Sequence, residues 1–241
     1  MSSGTSNMGI VVGSAVIAAI LIAINYTLFS LYHGNSIAEW ETIAVASALI
    51  IGGLAVSISK GFPKNFSEKD MALTVSFGVL LYVAQFVTGF VPAFVYYVPP
   101  ISYVATDLLV YLPQGIIFAA LITMVHKPGS IFSMMVPFYI LSMISYFNPI
   151  WTLFYFGWAG AAELVIWLGK DGLRLSGAAM ISLLFGVADA ALVAIFSLFV
   201  MGVYTLPILS GITAASAGVF CAVGGALGYF AGRKGRSVWK P

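Results

Sequence analysis

Charge is what this chain has least of. Of its 241 residues only 7% are Asp, Glu, Lys or Arg, 61% are hydrophobic, and the mean hydropathy is +1.05. A soluble domain carries about 25% charged residues, so the composition excludes one and implies an integral membrane protein. Cysteine is almost missing as well: the single Cys221 excludes an intrachain disulfide and leaves the redox compartment open. There is no HExxH pair, no GxxxxGK[ST] phosphate loop, no GxSxG elbow and no Cys/His metal spacing, so enzymatic catalysis is not expected. No lysine lies in the middle of an apolar run, which removes a Schiff-base chromophore site. A net charge of +2 offers no field for nucleic acid.

What is present is apolar length. A helix needs about 20 apolar residues to cross a hydrocarbon core of roughly 30 Å. Eight such runs occur, over residues 9–31, 42–59, 71–91, 101–125, 130–147, 150–169, 176–204 and 206–231. They are continuously apolar, whereas barrel strands alternate. The expected fold is therefore all-α, a polytopic membrane helical bundle of about eight transmembrane helices. All ten basic residues follow even-numbered runs: Lys60, Lys64 and Lys69, then Lys127, then Lys170 and Arg174, then Arg233, Lys234, Arg236 and Lys240. Cytoplasmic loops concentrate Lys and Arg, so both termini are expected in the cytoplasm, with the chain in the cell membrane of a prokaryote. The tail GRKGRSVWKP reads as an anchor to membrane lipid headgroups. Met1 to Met8 has no Lys or Arg, so the first run reads as a retained helix and not as a signal.

The one substantial polar stretch, SKGFPKNFSEKD (59–70), separates a two-helix membrane extension, residues 1–66, from a six-helix core, residues 67–241. Small residues recur every fourth position at Ala15, Ala19 and Ala23 and at Gly224, Gly228 and Gly232. Such stripes let helix backbones approach closely, within one chain or against a partner.

Three carboxylates fall inside apolar runs, Asp107, Glu163 and Asp189, and no Lys, Arg or His lies comparably deep. A charge at mid-bilayer costs at least about 2.5 kcal/mol. These acids must be protonated, hydrogen-bonded across the bundle, or matched by a cationic or donor-rich ligand, and an anionic substrate is not expected. Trp151, Tyr155 and Trp158 stand in the same run as Glu163, which follows Tyr155 by about two helical turns on nearly the same face. Aromatics there serve either as an interfacial belt or as a stacking surface for a flat or cationic ring. The candidate substrate-binding residues are Glu163, Trp158, Tyr155, Asp107, Asp189 and Trp151, for a small molecule that is cationic or donates hydrogen bonds. No cofactor is implied.

Two segments carry a resemblance: HKPGS (126–130) after the second helix of the six-helix core, and GWAGAAEL (157–164) in its fourth. A Lys-Pro-Gly turn followed by a small-residue segment ending in Glu resembles the substrate-capture (S) component of energy-coupling-factor transporters, in the branch linked to thiamine and its hydroxymethylpyrimidine precursor. The resemblance runs from Met71 to the C-terminus and is clearest between Leu121 and Lys170. It implies uptake of a vitamin or vitamin precursor, with a transmembrane coupling subunit and two cytoplasmic ATPases as partners; an aromatic and acidic pocket suits such a ring, a carboxylate accepting hydrogen bonds from its amines. Two other expectations stay open, an autonomous proton-coupled transporter of a small cationic or neutral solute, and a structural membrane protein whose acids only join helices.

Overall fold

The computed structural model describes residues 8–31, 36–90, 101–146, 149–168, 173–199 and 206–239. Among these residues there are eight α-helices and no strand: α1 (Met8–Leu31), α2 (Ser36–Ser59), α3 (Glu68–Phe90), α4 (Ile101–Met124), α5 (Ser130–Tyr146), α6 (Pro149–Leu168), α7 (Leu175–Phe199) and α8 (Pro207–Val238). Each coincides with one apolar run. Three extend beyond theirs by more than one residue: α2 begins at Ser36 instead of Thr42, α3 begins at Glu68 instead of Met71, and α8 continues past Ala231 to Val238. The helical hydrogen-bond ladder continues into polar sequence that a hydropathy count leaves out.

Local chemistry sets the ends that matter. Ser67 caps α3: its hydroxyl accepts the Asp70 N–H at 3.2 Å, and Asp70 Oδ2 accepts the Ser67 N–H at 2.8 Å, a reciprocal capping box. The turn between α4 and α5 needs left-handed backbone at His126 (φ 38°) and Gly129 (φ 85°). A methyl at Gly129 would also meet the Phe62 ring at 2.1 Å, so two independent constraints demand glycine.

The helices run end to end. Ser57 near the end of α2 reaches Glu163 near the end of α6, and Lys127 after α4 pairs with Asp70 at the start of α3. Gly13 in the first turns of α1 lies against Val165, and Gly235 in the last turns of α8 lies against Met124. One end of the bundle thus gathers the starts of α1, α3, α5 and α7 and the ends of α2, α4, α6 and α8. Every described Lys and Arg is at this basic end.

Packing is close because the facing residues are small. A methyl on Gly160 would meet the Leu49 carbonyl oxygen at 2.1 Å, and one on Gly53 would meet Gly160 Cα at 2.5 Å, so α2 and α6 touch backbone to backbone. The Gly224, Gly228 and Gly232 stripe lies against the carbonyls of Leu112, Ile116 and Ala120 on α4, so it serves packing within the chain. The Ala15, Ala19 and Ala23 stripe is exposed. α8 lies between α4 and α7, α1 packs on α6, α7 and α8, and α3 packs on α4 and α5.

The outer faces are apolar: Ile144 is 77% exposed, Ile51 67%, Phe230 57% and Val87 57%. Water does not tolerate so continuous an apolar exterior, whereas hydrocarbon does. Among the residues described in full, four stretches, Glu68–Val87, Val104–Met124, Leu175–Ile195 and Pro207–Val238, are long and apolar enough to cross a membrane, and Met8–Ile24 of α1, Ile43–Ser59 of α2 and Ser130–Ser145 of α5 are shorter apolar stretches.

Candidate functional site

The buried acids form two groups at different depths. Counting about 1.5 Å per residue from the basic end, Glu163 lies roughly 7 Å in. Tyr111, Tyr155 and Asp189 lie roughly 20 Å in, and Asp107 about one turn further.

Glu163 is fully buried, and four protein donors already engage its carboxylate. Oε1 accepts the Ile131 N–H at 2.9 Å. Oε2 accepts the Gly129 N–H at 3.0 Å, the Trp167 indole N–H at 2.7 Å and the Ser57 hydroxyl at 3.1 Å. The first-turn amides of a helix have no partner within it, and here the acid that caps α5 comes from α6. A carboxylate also suits the positive end of the α5 dipole. The Lys-Pro-Gly turn and the Glu-bearing segment are therefore one contact, closed by Ser57 from α2.

The same turn is held from two further sides. Lys127 Nζ donates to Asp70 Oδ2 at 2.5 Å, and the His126 ring lies 5.3 Å from the Trp167 ring. Burial, reinforced by the Arg236 charge, holds the His126 imidazole below its usual 6.5, although a hydrogen bond to the Ile122 carbonyl works in the opposite direction. His126 is therefore neutral at pH 7.

The deeper group lies on facing surfaces of α4, α6 and α7. Asp107, Tyr111, Gln114 and Phe118 succeed one another at i, i+4, i+7 and i+11 on one face of α4. Tyr111 donates to Asp189 on α7, with Asp107 and Tyr155 within electrostatic reach of its hydroxyl. Asp107 accepts a short hydrogen bond from Ser216 on α8. Tyr155 accepts from Gln85 Nε2 at 2.7 Å. Below them the Phe118 ring is 4.9 Å from Trp158 and 5.6 Å from Phe185, and Trp158 is 4.0 Å from Phe185.

Two groups in this region lack partners among the described residues. Gln114 is 1% exposed with neither its amide nitrogen nor its oxygen bonded, and Trp158 is 2% exposed with its indole N–H unbonded. Both stand about 15 Å from the basic end. Each such group costs about 1–3 kcal/mol and requires an explanation. The hydroxyls of Ser14, Thr123 and Ser182 are also buried and unpartnered. Pro113, next to Gln114, has no N–H and frees the Leu109 carbonyl from the α4 ladder.

The sequence-derived candidates thus divide. Tyr155, Trp158, Asp107 and Asp189 come together, Glu163 stands apart at the Lys-Pro-Gly turn, and the Trp151 side chain lies outside the described residues. Sequence reasoning missed Tyr111, Gln114, Phe118, Phe185 and Ser216. One signal was available: the chain has only two glutamines, Gln85 and Gln114, and each sits in an apolar run. Compared with known protein families, with curated proteins and with solved structures, the chain matches none.

Proposed function

We propose that the chain spans the cell membrane of a prokaryote with eight helices, basic end in the cytoplasm, and binds a small planar, amine-bearing solute from the opposite side. In this reading it is the substrate-capture component of an energy-coupling-factor type transporter for thiamine, its hydroxymethylpyrimidine precursor or a similar vitamin. A separate transmembrane coupling subunit and cytoplasmic ATPases drive it. The observation that carries the reading is the unmet hydrogen-bonding capacity of Gln114 and Trp158 against a wall of aromatic rings, with Asp189 and Asp107 roughly 6–10 Å further along the bundle. An aminopyrimidine complements that surface: ring amines donate to Asp107 or Asp189, ring nitrogens accept from the indole and the amide, and the ring stacks on Trp158 or Phe185. The capping of the Lys-Pro-Gly turn by Glu163 supports the resemblance, because it gives two motifs far apart in sequence a shared reason to occur together.

Tryptophan fluorescence of the purified chain, titrated with thiamine, hydroxymethylpyrimidine and unrelated vitamins, tests this directly. Saturable quenching by a pyrimidine compound is expected, and silence with every compound would remove the proposed solute. A second reading, autonomous proton-coupled transport, draws on the Tyr111 hydroxyl lying among Asp189 and Asp107. Uptake by the chain alone in proteoliposomes, driven by a pH gradient, would favour it over the capture component.

A further inference from the structure

A cavity of about 600 Å³ opens at the basic end, within the roughly 300–1,000 Å³ of small-ligand pockets. Its wall comes from α8 and the end of α4: Tyr229, Arg233, Arg236 and Ser237 on one side, Thr123 and His126 on the other, with Leu173 at the edge. The sequence GRKGR explains the geometry. Gly232 and Gly235 press against α4, where added methyls would meet Thr123 Cβ at 2.7 Å and Met124 Sδ at 2.8 Å. Each arginine follows one of these glycines by one residue, about 100° further around the helix. The close approach of α8 to α4 therefore aims both guanidinium groups into the same space.

No described residue of that wall carries a carboxylate. Thr123 is 5% exposed and its hydroxyl has no partner among the described residues, although it lines the cavity. The Arg233 guanidinium lies over the Tyr229 ring at 5.9 Å, which orders it.

We propose that this cavity binds a phosphate group, clamped by Arg233 and Arg236 with a hydrogen bond from Thr123. Guanidinium forks match phosphate oxygens bidentately, and basic pockets between membrane helices suit anionic headgroups. Phosphate-bearing lipid and free phosphate share this chemistry. Lipid fits the surroundings: Leu227 (52% exposed) and Phe230 (57%) form an apolar outer face of α8 beside the cavity, along which acyl chains can lie. The site is separate from the deep α4–α6–α7 face, so each reading can fail without the other.

The test is thermal unfolding of the purified full chain titrated with short-chain phosphatidic acid, glycerol 3-phosphate, inorganic phosphate and, as a phosphate-free control, short-chain diacylglycerol. Phosphatidic acid is expected to raise Tm saturably. Arg233→Gln with Arg236→Gln should weaken that response about tenfold to hundredfold, the loss of a charge-assisted pair. Arg233→Lys with Arg236→Lys, which keeps the charge and loses the fork, should fall between, and it serves if the glutamine variant does not fold. Nuclear magnetic resonance of the His126 ring should show its pKa rising as phosphate binds beside it. An equal shift with inorganic phosphate supports the site with free phosphate as its source, and a shift with phosphatidic acid alone supports the lipid. No saturable shift with any phosphate compound, the same shift with diacylglycerol, or an unchanged response in both arginine variants would overturn the proposal.

Discussion

The Glu163 cluster and the Tyr111–Gln114 face make an instructive pair. Both put carboxylates into an apolar bundle without a buried base. Around Glu163 the donors are complete, from the Gly129 and Ile131 amides, the Trp167 indole and the Ser57 hydroxyl. About 8 Å further along the bundle, the Gln114 amide and the Trp158 indole are buried without partners among the described residues. Saturated hydrogen bonding holds the turn of a fold in place. Unsaturated hydrogen bonding at the same burial is a standing cost that a ligand can relieve. The acids of both groups are hydrogen-bonded, so the two differ in the neutral groups around the acids, which are satisfied at the turn and not at the deep face.

The largest effect should come from breaking the saturated cluster. Glu163→Ala leaves several buried donors unmet and should cost about 3–5 kcal/mol, read as a large fall in Tm in detergent. Next is the backbone contact beside it. Gly160→Val places branched carbons on the Leu49 carbonyl, and the overpacking should cost about 1–3 kcal/mol, read as a lower Tm and faster protease cleavage between α2 and α3. At the deep face the sign should reverse. Gln114→Leu removes a buried amide without partners and should leave Tm unchanged or raise it by the equivalent of about 1 kcal/mol, while solute affinity falls at least tenfold.

The smallest expected effect is a pH dependence at the basic end. His126 has a folded pKa held below 6.5 by burial and then by Arg236, so folding favours its neutral form. Its contribution is fully present above the unfolded value and is lost as pH falls through 6.5 toward the folded pKa. Stability measured from pH 8 to 5 should decline at the acid end, and His126→Gln should flatten that decline.

Much of the bundle was legible in the sequence, since eight apolar runs became eight described helices with the basic residues at one end. The beginning of α2 and the end of α8 were not, because hydropathy senses the hydrocarbon layer and a helix stops where its hydrogen bonds stop. The importance of Asp107, Glu163 and Asp189 was visible from the rarity of charge. Their partners were hidden: Glu163 binds amides 32 and 34 residues away, which no side-chain pattern reveals. The pairing of Asp189 with Tyr111 likewise follows from how α4 meets α7. Gln114 carries no charge, so the rarity of charge that marks the acids does not mark it.

The most direct measurement compares two variants in one assay, a tryptophan fluorescence titration with thiamine and hydroxymethylpyrimidine, each followed by thermal unfolding. The account predicts that Glu163→Gln lowers Tm yet keeps near-native affinity at temperatures where it is folded, and that Gln114→Leu keeps Tm yet loses affinity. Loss of affinity in folded Glu163→Gln, together with native affinity in Gln114→Leu, would contradict it and move the solute to the Lys-Pro-Gly turn.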